Sequence, residues 1–183
     1  EDLATHIRNL DLLELVRADI LIARFDGADV DAGTALEFML AKMLGKPSVI
    51  VRTDWRHIAS DGLDDPYNLM LKGWPRTALV HIDSLIDYAQ MIAPSPEDHR
   101  DDHSPEMVLG TEVAAAHKGI DSLASRLIEA MNSTLAMASP YPPELRTVVY
   151  EALRHAPGSG FHQVLSEGHL RAILQRLTQR NTL

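Results

Sequence analysis

The chain has 183 residues, of which 45% are hydrophobic and 23% charged, as is typical of a globular protein with one ordinary domain and a sizeable core. Its 26 acidic residues outnumber its 17 basic ones, and the net charge of −9 argues against broad binding to nucleic acid or to an anionic membrane surface. Zero cysteines exclude disulfides and thiolate metal sites, and with no apolar run approaching a membrane span we expect a cytoplasmic protein.

The hydrophobic pattern predicts alternating helices and short strands in the first half of the chain. In chain order these are a helix over 5–17, a strand over 18–25, an amphipathic helix ended by Gly45 and Pro47, a strand over 47–53, a polar loop over 54–67, a strand over 77–82 and a helix over 84–92. The second helix is expected to pack one apolar stripe on the core, made of Leu36, Met39, Leu40, Met43 and Leu44.

This order predicts an α/β fold with a parallel, flavodoxin-like or Rossmann-like sheet between flanking helices. We assign residues 1–92 to this domain, 93–108 to a proline- and acid-rich linker, and 109–183 to a helical extension. Helices are predicted there over 109–137, 143–155 and 167–180. The sequence does not decide between a helical cap and an oligomerisation element.

Three aspartates follow the first predicted strand in "FDGADVDAG", at positions 26, 29 and 31. Ligands of parallel sheets bind beyond the carboxyl ends of the strands, so this loop is the first candidate site. Each aspartate also has a structural explanation, because aspartate is common in turns and Asp31 could cap the next helix. The spacing of a hard-cation loop is absent, so we expect no metal.

Glu37 lies within "TALE", residues 34–37, and this pattern supports two readings. In the first, Thr34 and Glu37 form a capping box at the helix start. In the second, Glu37 lies at the border of the apolar stripe, where a partly desolvated carboxylate could act as a nucleophile or an acid.

Two further polar residues stand out. Asp11 has the apolar neighbours Ile7 and Leu15 one turn away on either side, which favours a half-buried acid. Asn68, in "DDPYNLML", could be only a turn residue after Pro66.

Taken together, "NLDLLELVRADILIARFDGADVDAGTALEFMLAKMLGKPSVIVRTD" and "DDPYNLML" resemble the nucleoside 2-deoxyribosyltransferase family, which includes nucleotide N-glycoside hydrolases. The family pattern is an Asp in the helix before the strand, an Asp followed six positions later by the nucleophilic Glu, and a downstream Asn-Leu-Met. These fall on Asp11, Asp31, Glu37 and 68–70. The resemblance covers about residues 7–92.

The resemblance implies the role of each site residue. Glu37 attacks the anomeric carbon to give a deoxyribosyl-enzyme, as in retaining glycosidases, and Asp11 lies near the nucleobase and aids proton exchange. Asp31 and Asn68 hold sugar hydroxyls. The remaining expected substrate contacts are Asp29, Gly33 and Met70. Acids this close are expected to raise one another's pKa.

The implied partners are a nucleoside or nucleotide and a free nucleobase, with no cofactor. Because the Asn segment is often lent by a neighbouring subunit in this family, we expect at least a homodimer. The leading function is transfer of a 2-deoxyribosyl group between bases. Hydrolysis of nucleoside 5′-monophosphates and a non-catalytic nucleotide-binding or assembly module are the alternatives.

The family also begins with a strand and a glycine-containing loop that nothing before residue 1 supplies. We expect that the sequence is incomplete at its amino end, because losing a central strand would leave ladder groups of its neighbours unpaired. The alternative is a protein that is inactive alone.

Some residues are set aside. Arg52 and Arg56 could bind a substrate phosphate or be surface charges. Trp55 and Trp74 could stack on a base or pack beneath a loop. His99 and His103 lie in an acidic stretch that is more often solvated than metal-bound.

Overall fold

A computed structural model describes residues 2–27, 29–54, 68–93, 105–180 and 182, with the backbone alone at 105–109 and 111. In chain order the elements are α1 (Leu3–Arg17), β1 (Leu21–Arg24), α2 (Ala32–Met43), β2 (Ser48–Arg52), a 3₁₀ turn (Leu69–Leu71), β3 (Thr77–His81), α3 (Ser84–Ile92), α4 (Pro105–Ala136), α5 (Pro143–Arg154), α6 (Phe161–Val164) and α7 (Glu167–Gln179). The predicted helices and strands are confirmed. Helix α4 begins four residues before the predicted start at 109, and the short helix α6 was not predicted.

The three strands form one parallel sheet in the order β1-β2-β3. Ile22 pairs with Val49 in the first ladder, and Val49 with Ala78 in the second. All five residues of β2 are buried, as expected for a central parallel strand covered on both faces. The α/β fold with a helical carboxyl-terminal region is therefore confirmed.

The two faces of the sheet are covered by helices from different parts of the chain. On one face Ala23, Phe25 and Ile50 pack with Phe38 of α2. On the other face lie valines of β2 and β3, and Ala130 of α4 packs with them. Helix α4 thus completes the core of the sheet. The division of the chain at residues 92 and 108 stays a prediction.

Helix α2 is shifted around its axis from the predicted orientation. Its fully buried apolar residues are Phe38 and Ala41, whereas Leu36 and Met43 are exposed. The predicted stripe was therefore partly wrong. The reason is a tertiary contact: the Phe38 ring packs edge-on against Phe25, with 6.1 Å between ring centroids, and turns this face of the helix inward.

The last three helices form a separate apolar cluster on α1. These helices, α5 to α7, are called the tail below. Leu13 and Val16 of α1 pack with buried residues of the tail, which are Tyr150, Phe161, Leu165, Leu170, Ile173 and Leu177. Asn9 of α1 is buried beside them and donates its side-chain amide to the Ser159 carbonyl at 3.1 Å. The tail therefore covers α1, on which the resemblance places Asp11.

Gly45, which ends α2, allows a test of this packing. Its φ is +72°, and a Cβ there would lie 2.9 Å from Tyr141 Cδ2. Gly73 has nearly the same φ, +71°, but a Cβ there would meet no atom of the described residues within 4 Å. We expect Gly73→Ala to lower the free energy of unfolding by about 1 kcal/mol through backbone strain, and Gly45→Ala by about 2–3 kcal/mol because the clash is added.

Urea unfolding of the two variants beside the wild type measures this difference. Equal losses in both would contradict close packing of Tyr141 on Gly45. The Tyr141 hydroxyl also donates to the Met43 carbonyl at 2.9 Å, so the ring has little room to retreat.

Candidate functional site

Side chains at the carboxyl ends of the strands hold in place the loop that carries Asp26, Asp29 and Asp31, called the aspartate loop below. Asp26, directly after β1 and Phe25, accepts hydrogen bonds from the Thr53 amide at 2.6 Å and the Thr53 hydroxyl at 2.7 Å. It also lies 3.3 Å from Arg24 Nε. Asp26 therefore joins the carboxyl ends of β1 and β2, which is a structural role.

A second connection joins the same ends through Arg52 and Asp54. Arg52 is only 3% exposed, and its Nε lies 2.6 Å from Asp54 Oδ1. Asp54 Oδ2 accepts the Gly27 amide at 2.7 Å, and Arg52 Nη2 donates to the Gly27 carbonyl at 3.0 Å. Both readings of Arg52, as a phosphate ligand and as a surface charge, were wrong, because the guanidinium is buried and paired.

Sequence reasoning missed Asp54. The available signal was the Arg-Thr-Asp run at the end of the fully buried strand β2, whose neighbour β1 is followed by Asp26 and Gly27. Charged groups at that position need partners from the adjacent loop.

Asp31 caps α2. Its Oδ2 accepts the Thr34 amide at 2.7 Å and the Thr34 hydroxyl at 2.9 Å. The bond from the Thr34 amide, followed by that from its hydroxyl, lowers the pKa of Asp31. The expectation that neighbouring acids raise this pKa was therefore wrong.

The cap also excludes one of the two readings of Glu37. Because the helix begins at Ala32 with Asp31 as its cap, Thr34 is already inside the helix and the predicted capping box of Thr34 with Glu37 was wrong. Gly33 lies between Asp31 and Thr34, and a Cβ at Gly33 would be 3.3 Å from Asp31 Oδ2. A glycine thus keeps space beside this carboxylate.

The other predicted acids are open to solvent. Glu37 is exposed rather than partly desolvated, because α2 turns the neighbouring Phe38 inward. Asp11 is exposed rather than half-buried, because α1 directs Leu13 toward the tail helices instead. Asp29 is exposed as well. Within the described ranges, no hydrogen bond or ion pair joins these three carboxylates to one another.

Asn68 and Met70 lie beside the first turns of α2. They line a groove of about 470 Å³ whose other walls are Val30, Ala35, Leu36, Met39 and Leu71. The Asn68 side-chain oxygen accepts the Met70 amide at 2.9 Å, and Trp74 Nε1 donates to the Met70 carbonyl at 3.1 Å. The structure thus brings the Asn-Leu-Met segment to the helix that carries Glu37.

Trp74 is half-buried against the α2 face of the sheet, which favours the packing role over base stacking. Trp55, Arg56, His99 and His103 lie outside the described residues. In the part of the chain that the structure describes, no group of three or more His, Asp or Glu side chains could hold a metal ion. No helix in that part is long and apolar enough to cross a membrane.

Comparison with known proteins gives one match. The family model described as nucleoside 2-deoxyribosyltransferase matches residues 1–70. No curated protein and no solved structure matches the chain. The matched segment contains all of the predicted site residues, which are Asp11, Asp29, Asp31, Gly33, Glu37, Asn68 and Met70. Residues 1–70 are therefore similar to the nucleoside 2-deoxyribosyltransferase family, and this match confirms the resemblance over that segment.

Proposed function

We propose that the protein transfers a 2-deoxyribosyl group between nucleobases through a covalent intermediate on Glu37. The match to the family over residues 1–70 is the observation that carries this proposal. The position of Glu37 supports it, since the side chain is exposed on α2 and takes no part in capping that helix.

The reaction requires two displacements at the anomeric carbon. In the first, a Glu37 carboxylate oxygen forms a bond to that carbon as the carbon–nitrogen bond breaks, and the bonding pair leaves with the base. Asp11 supplies a proton to the departing base. In the second, another base attacks the same carbon, releases Glu37 and returns its proton to Asp11. Attack by water instead would give hydrolysis.

The groove beside α2 has the size and lining for a nucleoside. Its volume of about 470 Å³ falls within the range of small-molecule sites, and apolar walls such as Val30 and Met39 suit the face of a base. Asn68 supplies a polar side chain at one wall. Both bonds from Thr34 go to Oδ2 of Asp31, so Oδ1 is the oxygen that we assign to a sugar hydroxyl.

The test is chromatography of a reaction that contains 2′-deoxyinosine, free adenine and the protein. Appearance of 2′-deoxyadenosine is the expected result. Free hypoxanthine without a new nucleoside would show hydrolysis rather than transfer. Binding of nucleosides and nucleotides with no product from either would support the non-catalytic binding module and contradict the enzyme.

Hydrolysis of nucleoside 5′-monophosphates remains a second candidate because of Arg24. This arginine is 73% exposed at the carboxyl end of β1, where a guanidinium could reach a phosphate. The same reaction run with 2′-deoxynucleoside 5′-monophosphates tests it. If the monophosphate is the true substrate, Arg24→Gln raises KM for it and leaves KM for the nucleoside unchanged.

We also propose that the protein forms a homodimer through the apolar rim of the groove. Leu36, Leu69 and Met70 are exposed there, with Met70 78% exposed. Met70→Glu is expected to shift the sedimentation coefficient from that of a dimer to that of a monomer. Ile128→Glu, at an exposed apolar position on α4, is the matched control that leaves the dimer intact. Dissociation by both or by neither would contradict this interface.

A further inference from the structure

We propose that Asp54 is a positioning residue that, with Arg52, holds the aspartate loop and thereby sets the start of the Glu37 helix. The contacts among Arg52, Asp54 and Gly27 are called the Gly27 clamp below. This inference rests on the proposed function for its catalytic consequence. Its structural basis is independent of that function.

The clamp acts on the short segment between β1 and α2, one residue after Asp26, which Thr53 already holds. The Phe25 amide donates to the Val51 carbonyl at 2.9 Å, which is the last ladder contact of β1, and α2 begins at Ala32. Between them Gly27 has a φ of +105°, in the region that favours glycine. Both its amide and its carbonyl are bound by the clamp, and this fixes the direction in which the chain leaves the sheet.

The geometry of the clamp is demanding. Asp54 Oδ1 accepts Arg52 Nε at 2.6 Å, while Oδ2 accepts the Gly27 amide at 2.7 Å and Arg52 Nη2 at 3.3 Å, so both carboxylate oxygens are used. Arg52 Nη2 completes the ring of contacts through the Gly27 carbonyl at 3.0 Å. A neutral amide at position 54 offers one acceptor oxygen and two N–H donors, so it cannot satisfy both donors.

Burial of the pair favours a positioning role over a simple contribution to stability. The Arg52 and Asp54 side chains are 3% and 13% exposed, and the desolvation of a buried ion pair offsets much of its attraction. Each member of the pair contacts the backbone of the loop at Gly27. Its effect is therefore to orient the loop, and a misplacement of Glu37 by about 1 Å can cost about a hundredfold in rate.

The experiment compares Asp54→Asn with Leu177→Ala in the full chain. Leu177 is fully buried in the tail cluster, so its truncation destabilises the protein without touching the loop. Rates are measured where circular dichroism shows each variant folded. We expect Asp54→Asn to lower kcat for transfer about a hundredfold with less than a threefold change in KM, and Leu177→Ala to keep kcat within about twofold.

Amide hydrogen exchange provides a readout that does not depend on activity. In Asp54→Asn the amides of 25–31 are expected to exchange at least about tenfold faster, with α5 and α7 unchanged. If Asp54→Asn does not fold, Arg52→Lys takes its place. It keeps the buried charge but loses the forked contact with Asp54 and Gly27.

The outcomes separate the two proposals. If the wild type is active and the clamp variant keeps kcat within twofold, the positioning role is overturned. If the wild type makes no product, the proposed function fails, and unchanged exchange in 25–31 would overturn the clamp as well. Faster exchange confined to those residues would support the clamp as an ordering device even then.

Discussion

Glu37→Ala is expected to reduce kcat for 2-deoxyribosyl transfer by at least about 10³-fold while the protein stays folded. The loss is large because the covalent step has no other nucleophile in the proposed mechanism. Stability should change by no more than about 0.5 kcal/mol, since the side chain is exposed and makes no capping contact. Initial rates by chromatography and unfolding in urea measure the two effects.

Intact-mass analysis after an acid quench sharpens this test. The wild type mixed with a deoxynucleoside and no acceptor base should gain the mass of one deoxyribosyl group, and Glu37→Ala should not. Glu129→Ala, at an exposed glutamate inside α4, is the matched control and should behave as the wild type does. A deoxyribosyl adduct on the Glu37→Ala protein would place the nucleophile elsewhere.

The free energy of unfolding is expected to rise by about 2–4 kcal/mol between pH 7 and pH 9 because two lysines are buried. Burial lowers the pKa of Lys42 to about 7, and nearby Arg76 acts in the same direction. Burial also lowers the pKa of Lys46 to about 7, and Asp19 only partly offsets this. Above pH 7 the unfolded chain therefore binds more protons than the folded one, so stability increases with pH toward 10.5, the ordinary lysine pKa.

Both amines remain hydrogen-bonded when neutral. Lys42 Nζ lies 2.7 Å from the Lys46 carbonyl, and Lys46 Nζ lies 2.6 Å from the Ala18 carbonyl. A neutral amine keeps two N–H donors, so loss of the proton removes the buried charge without removing every contact.

Urea unfolding at pH 7, 8 and 9 measures the slope. Lys42→Met and Lys46→Met should each lose about half of it, whatever their effect on stability at a single pH. Lys118→Met, at an exposed position on α4, should keep the full slope. A wild type with no rise in stability over this range would show that the buried amines stay charged.

The fold was largely predictable because its elements are set by local pattern. The apolar runs that became β1, β2 and β3 are short, continuous and bounded by turn residues, and Gly45 with Pro47 marks the end of α2. The face that α2 buries was not predictable. Leucine and methionine dominate the pattern, yet the packing of Phe38 against Phe25 decides the orientation, and that contact exists only in the folded sheet.

The arrangement of the candidate residues on the loop and helix was predictable, and the environment of each residue was less so. The loop after the first strand and the helix with Glu37 follow from the order of elements together with the resemblance. The exposure of Asp11 depends on which side of α1 the tail covers, and the tail is far away in sequence. The partner of Arg52 could not be read from spacing either, because the clamp forms only when β1 and β2 lie side by side.

The contribution of α4 to the sheet has a consequence for synthesis on the ribosome. Val49 and Val51 emerge early, but their cover, Ala130, is translated much later. Until then one apolar face of the nascent sheet has no permanent partner and is open to chaperones and to other unfinished chains. Closure of that face joins residues far apart in sequence, which slows folding. The segment that resembles the family therefore cannot complete its core until Ala130 has been translated.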